Sequence, residues 1–145
     1  MTNRSRAREV ALQLLFQRDH NPHVERQTIE AFALDRLRDM ALQQFCLALY
    51  DGVVADQSAI DDRITAAAEN WRLARMAVVD RNILRLGAHE LLTGAAPGVV
   101  LDEAIELARR YGSSDSPAFI NRVLDRLRQD ASASGSPEAE QPPPN

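Results

Sequence analysis

The chain has 145 residues, 45% hydrophobic, 26% charged and 5% aromatic, which fits one soluble globular domain and excludes disordered and fibrous classes. One cysteine, Cys46, excludes an internal disulfide or a cysteine zinc cluster and points to a reducing, cytoplasmic setting; no segment approaches the roughly 20 apolar residues of a membrane span. The net charge of −4 argues against a surface that grips nucleic acid everywhere, but all 17 basic residues are arginine and they are unevenly spread.

Residues 1–18 hold four arginines against Glu9, and residues 19–69 hold four against ten acids, so a basic first segment meets an acidic body. The opening MTNRSRARE has no apolar stretch behind its arginines and does not read as a signal peptide. Apolar residues then recur at spacings of three and four without strict alternation, the period of helices. Thr2 or Asn3 caps a first helix with Ala7, Val10, Ala11, Leu14 and Leu15 on one stripe, and Asn21-Pro22 ends it. Further helices follow at about 24–37, 39–55, 58–68 and 74–92, the last closed by Gly94. Pro97 turns the chain into a sixth over about 99–111, closed by Gly112. Ser116 caps a seventh with Pro117 at its first position, running to about Gln129. The fold class is all-α, a single-domain bundle of about seven helices over residues 1–130. Residues 131–145, rich in Pro, Ser and Ala, are expected to form a disordered tail.

No enzyme site assembles. His20 and His23 flank a proline that forbids the helix a metal pair needs, so a surface turn is the better reading. His89 has no second histidine one turn away and reads as a half-buried structural residue. Asp61-Asp62 and Asp102-Glu103 are adjacent pairs, which on a helix do not face each other, and both are expected on solvated faces. Cys46 reads as a small buried hydrophobe. The glycines are scattered, with no phosphate loop, and no metal or cofactor is expected.

Two places suggest binding instead. Phe16 falls nearly opposite the buried stripe of the first helix, on the face that bears arginine; it either packs in a second core face or stacks on an unpaired base. Gly112 to Pro117 form a polar turn into the last helix, whose first turn carries Phe119, with Arg122 and Arg126 beyond it. Phe119 likewise reads as core or as a base contact beside an anion-favouring helix N-terminus.

The stretch Arg6-Ala7-Arg8-Glu9-Val10-Ala11-Leu12-Gln13 resembles the opening helix of the NusB family of transcription antitermination factors. Ile83-Leu84-Arg85-Leu86 with Glu90-Leu91 is similar to the family's fifth helix, and residues 101–108 with Arg110-Tyr111-Gly112 to its sixth. Residues 115–121 with Val123-Leu124-Asp125 resemble its last, in the right order across about residues 4–128. The resemblance implies a non-enzymatic protein that binds boxA-type single-stranded RNA together with the ribosomal protein NusE. The pair works inside an RNA polymerase antitermination complex that reads through ribosomal RNA operons. It further implies that Arg4, Arg6 and Arg8 hold phosphates and that Phe16, Asp115 and Phe119 approach the RNA. Arg122 then supplies a charge that the family often places just before the aromatic, where this chain has Ala118. Asp80 matches an acidic position facing NusE, with Arg81 and Leu84 as neighbours and His89 at a position usually aromatic. Two alternatives share the fold: an RNA-binding module of the ribosomal RNA methyltransferase type, and a protein-binding helical homodimer.

Overall fold

A computed structural model describes residues 2–139, with side chains through residue 133. Its elements are α1 (Asn3–His20), α2 (Arg26–Arg36), α3 (Met40–Ala55), α4 (Gln57–Ala68), a 3-10 turn at Leu73–Arg75, α5 (Val78–Leu92), α6 (Pro97–Tyr111) and α7 (Ser116–Ala139). Thr2 caps α1 by accepting the Ser5 N–H at 3.0 Å, and Gly94 closes α5 at φ +94°, where a Cβ would be strained.

Besides two-residue shifts at the starts of α2 and α6, three boundaries differ from the sequence reading. The fifth helix starts at Val78, because Met76 is buried in extended backbone and pins the approach to the helix. Ser116 is the first residue of α7 rather than its cap; its buried hydroxyl accepts the Ser113 N–H at 2.9 Å, and the Asp115 carbonyl accepts the Phe119 N–H. The last helix continues past Gln129 to Ala139 and runs through Gly135 and Pro137, so residue propensity does not account for the extension. The rest of the expected tail, 140–145, lies outside the described residues.

The hub is α5, which packs against α1, α3, α4, α6 and α7. Its central residues Asn82 to Ala88 are all buried. Gly87 lets α7 approach, since a Cβ there would lie 2.7 Å from Leu124 Cδ1. The first helix is covered on more than one side: besides the expected stripe, Arg8, Glu9 and Leu12 are buried. Core side chains such as Leu14, Ile64, Ile83 and Leu124 each contribute about 1.5–3 kcal/mol by leaving water.

Buried charges link these helices. Arg8 lies bidentate on Glu90 at 2.9 Å through both nitrogens, with Glu103 at 3.7 Å and the Phe45 ring at 5.2 Å, joining α1, α3, α5 and α6. Arg85 lies bidentate on Asp61 at 2.8 and 3.0 Å, and Asn82 donates to Asp19 at 2.7 Å, joining α1, α4 and α5. The acidic pairs are therefore split rather than wholly solvated. Asp61 and Glu103 turn inward to arginines while Asp62 and Asp102 face water, as neighbours on a helix must. Cys46 is fully buried, and that burial pushes its thiol pKa up to about 12. Among the described residues no helix is long and apolar enough to cross a membrane.

Candidate nucleic-acid interface

The turn into α7 is built tightly. A Cβ on Gly112 would lie 2.5 Å from Ser116 Oγ, so only glycine lets the turn fold back on the start of the helix. That turn sets Asp115 at the exposed N-terminus of α7 and aims Phe119 into a groove of about 460 Å³. Trp71, Arg75, Asp80 and Arg122 also line it. The Phe119 ring meets the indole of Trp71 edge-on, with centroids 5.6 Å apart at 67°, and the Arg122 guanidinium stands 5.6 Å from the Phe119 centroid. Phe119 is thus half-buried, packed on the core from one side and open on the other, which joins the two readings the sequence left separate.

A second groove of about 390 Å³ is lined by Leu12, Gln13, Phe16, Phe32, Arg36, Val79 and Tyr111. Phe16 is 38% exposed here, with its ring 4.7 Å from that of His20. The core reading of Phe16 gives way: α1 is indeed packed on more than one side, but Phe16 lies beyond that packing. Arg36 covers the Phe32 ring at 3.6 Å. Val79 lines this groove and Asp80 the first, and Tyr111 and Ser113 divide in the same way. The two grooves therefore flank the start of α5 and the end of α6, and Phe16 and Phe119 stand on neighbouring sites.

The three N-terminal arginines separate. Arg4 is exposed, its guanidinium 4.4 Å from the Phe45 centroid. Arg6 is half-exposed and pairs with Glu9. Arg8 is the exception: its side chain is 6% exposed and its N–H groups are spent on Glu90, so the structure takes it out of the phosphate-holding set. The sequence could not show this, because the partner lies 82 residues away.

Glu9 ties the arginines to α6. Its carboxylate accepts from Arg6, from Arg110 at 2.8 Å and from the Tyr111 hydroxyl. Burial alone would raise its pKa, but the hydrogen bonds from Tyr111 and Arg6 and the charges around it outweigh burial and hold it below the ordinary 4.5. A depressed carboxylate stabilises the fold above its unfolded value and loses that contribution as pH falls through its folded value. Glu9→Gln is expected to cost about 1–2 kcal/mol at neutral pH, kept modest because Arg6 and Arg110 are half-exposed. The gap between variant and parent in urea unfolding should close in acid below the ordinary carboxylate range. A gap that persists there would remove Glu9 as the titrating group.

The expected partner-facing set also divides. Asp80 lines the groove of Phe119, and its Oδ1 is buried without a hydrogen-bond partner among the described residues. Arg81 is half-buried, 3.7 Å from Asp19. Leu84 is fully buried and corrects the expectation: α5 is the central helix, so its Leu84 face meets other helices rather than a partner. His89 lies against Gly52, where a Cβ would come within 2.2 Å of Cε1, and burial holds its pKa below the ordinary value despite Glu90 and Asp56. His20 and His23 are exposed, and no three His, Cys, Asp or Glu among the described residues gather as a metal site would need.

Sequence reading missed Trp71, Arg75, Phe32 and Arg36. The signal available for Trp71 was a lone indole in the polar run Glu69-Asn70-Trp71-Arg72 between two helices.

The NusB family model matches residues 5–129 of this chain. A transcription antitermination protein NusB of Sorangium cellulosum is 44% identical over 131 residues, covering 89% of this chain and 94% of that protein. One of Solibacter usitatus is 40% identical over 142 residues, covering 96% and 97%. Among solved structures, T. maritima NusB superposes with a TM-score of 0.78 at 35% identity, covering 89% of this chain and 92% of that one. A chain from the crystal structure of antitermination factors NusB and NusE in complex with dsRNA gives a TM-score of 0.80 at 25% identity, covering 90% and 98%.

Proposed function

The chain belongs to the NusB family and is an antitermination factor rather than an enzyme, and from that premise we propose that it binds boxA-type single-stranded RNA together with a NusE-type ribosomal protein. The pair acts within an RNA polymerase complex that reads through terminators of ribosomal RNA operons. The observation that carries this reading is the pair of neighbouring grooves in which Phe16 and Phe119 stand open to solvent with arginines beside them. Aromatic faces stack on unpaired bases of any sequence, and guanidiniums hold the phosphates between them. Phe16, Phe119 and Arg122 are the central contacts, Asp115 borders them at the α7 N-terminus, and Arg4 and Arg6 extend the path along α1. Asp80 and Arg81 serve the ribosomal protein, whose donors would satisfy the unpaired Asp80 oxygen. A related structure that holds NusB, NusE and RNA together supports the pairing.

Arg4, Arg6 and Arg122 together contribute a salt slope of about −2, so binding by this chain alone is expected to be weak. The test is a labelled boxA-like RNA titrated with and without the NusE-type protein across a salt series. Tight ternary binding that a scrambled RNA cannot reproduce is the expected result. Equal, weak binding of both RNAs with the partner present would overturn the proposal.

A further inference from the structure

The molecule's only tryptophan is not in its core. Trp71, on the connection between α4 and α5, is 52% exposed. An indole left this open forgoes the large gain its burial would bring. Two grooves meet at it and share Trp71 and Arg75: the one that reaches Phe119 and Arg122, and one of about 450 Å³ bounded by Asn70 and Arg72. The edge contact with Phe119 holds the indole in place without covering it. Arg72, Arg75 and Arg122 are exposed and form no ion pair among the described residues, whereas Arg26 and Arg128 on other surfaces do, and Arg126, next to Arg122, pairs with Glu69.

We propose that Trp71 is a stacking platform for an unpaired base of single-stranded RNA, with Arg72, Arg75 and Arg122 holding the adjoining phosphates. The inference rests on the RNA-binding reading above and carries the RNA path from α7 onto the α4–α5 connection. Asp80 and Asp115 line the same groove as Arg75 and Arg122, so charge alone offers little there to an anionic strand. Stacking on the indole must supply the attraction, and every base has a face to stack. The same balance disfavours an acidic peptide, which needs an excess of positive charge.

Because Trp71 is the only tryptophan, its emission reports the platform directly. The full chain is titrated with a single-stranded RNA of about 12 nucleotides, read by dye anisotropy for overall binding and by Trp71 emission for the platform. Emission should be quenched with the same midpoint as the anisotropy. Trp71→Ala should weaken binding about 5- to 100-fold with an unchanged melting temperature and salt slope, while Trp71→Phe keeps most of the affinity. Replacing Arg72 and Arg75 by glutamine should instead flatten the salt slope. If anisotropy saturates while emission and the affinity of Trp71→Ala stay unchanged, the platform is wrong and the RNA-binding reading stands. If no RNA binds even with the NusE-type protein present, both fall. Quenching by polyglutamate but not by RNA would make the surface a protein-docking site and overturn the proposal.

Discussion

Replacing Arg8 by alanine is expected to cost about 3–5 kcal/mol of folding stability, because it leaves the buried Glu90 carboxylate without its partner. Both side chains are below 10% exposed, at 6% and 7%, so water cannot take over the lost contacts. Against a total of about 5–15 kcal/mol for a domain, such a loss should lower the melting temperature by about 10–20 °C. Changing Arg8 and Glu90 together to apolar residues of similar size should recover much of it, since no buried charge then remains alone. Thermal melts of the two single variants and the double variant check this. An Arg8→Ala protein within about 1 kcal/mol of the parent would show that the pair is not buried in solution. The same physics means that an Arg8 substitution alters folding before it can report on RNA, so charge reversal at Arg4 and Arg122 is the cleaner probe of the RNA face.

The second large effect is expected at the junction of α5 and α7. Leu124 is fully buried and fills the space that Gly87 leaves open, so Leu124→Ala should cost about 2–5 kcal/mol through lost burial and a cavity. Gly87→Ala in the parent brings a Cβ to 2.7 Å from Leu124 Cδ1, and the strain should exceed the small gain in helix propensity. In the Leu124→Ala background that clash is gone, so Gly87→Ala should become neutral or stabilising. Denaturant unfolding of the four proteins gives the coupling; additive effects would contradict the packing.

The outcome at each expected site followed from how far its determinants lie along the chain. The helices were legible because their signals are local: the three-four spacing of apolar residues, Thr2 ahead of α1, Asn21-Pro22 after it, and Gly94 at a positive φ. At two of the boundaries that differed, a tertiary or turn contact had intervened. Burial of Met76 delayed the start of α5, and the Ser113 N–H drew the Ser116 hydroxyl away from capping.

The candidate surface was half legible. Phe119, Asp115 and Arg122 sit within one turn and its helix, so their grouping could be read directly. Trp71 could not be joined to them, because its contact with Phe119 spans 48 positions of chain.

Periodicity, turn chemistry and residue type thus determined an all-helical domain with a basic first helix and an aromatic at each of two helix ends. Those properties depend on neighbours three or four residues apart. Only tertiary packing decided which charges are structural and which are free. A guanidinium exposed on an isolated helix looks the same at Arg4, Arg6 and Arg8. The approach of α5 and α6 buries Arg8 against Glu90 and Glu103, ties Arg6 through Glu9 to Arg110, and leaves Arg4 at the surface. Burial and ion pairing depend on partners about 80 to 100 residues away, and no local pattern encodes that distance.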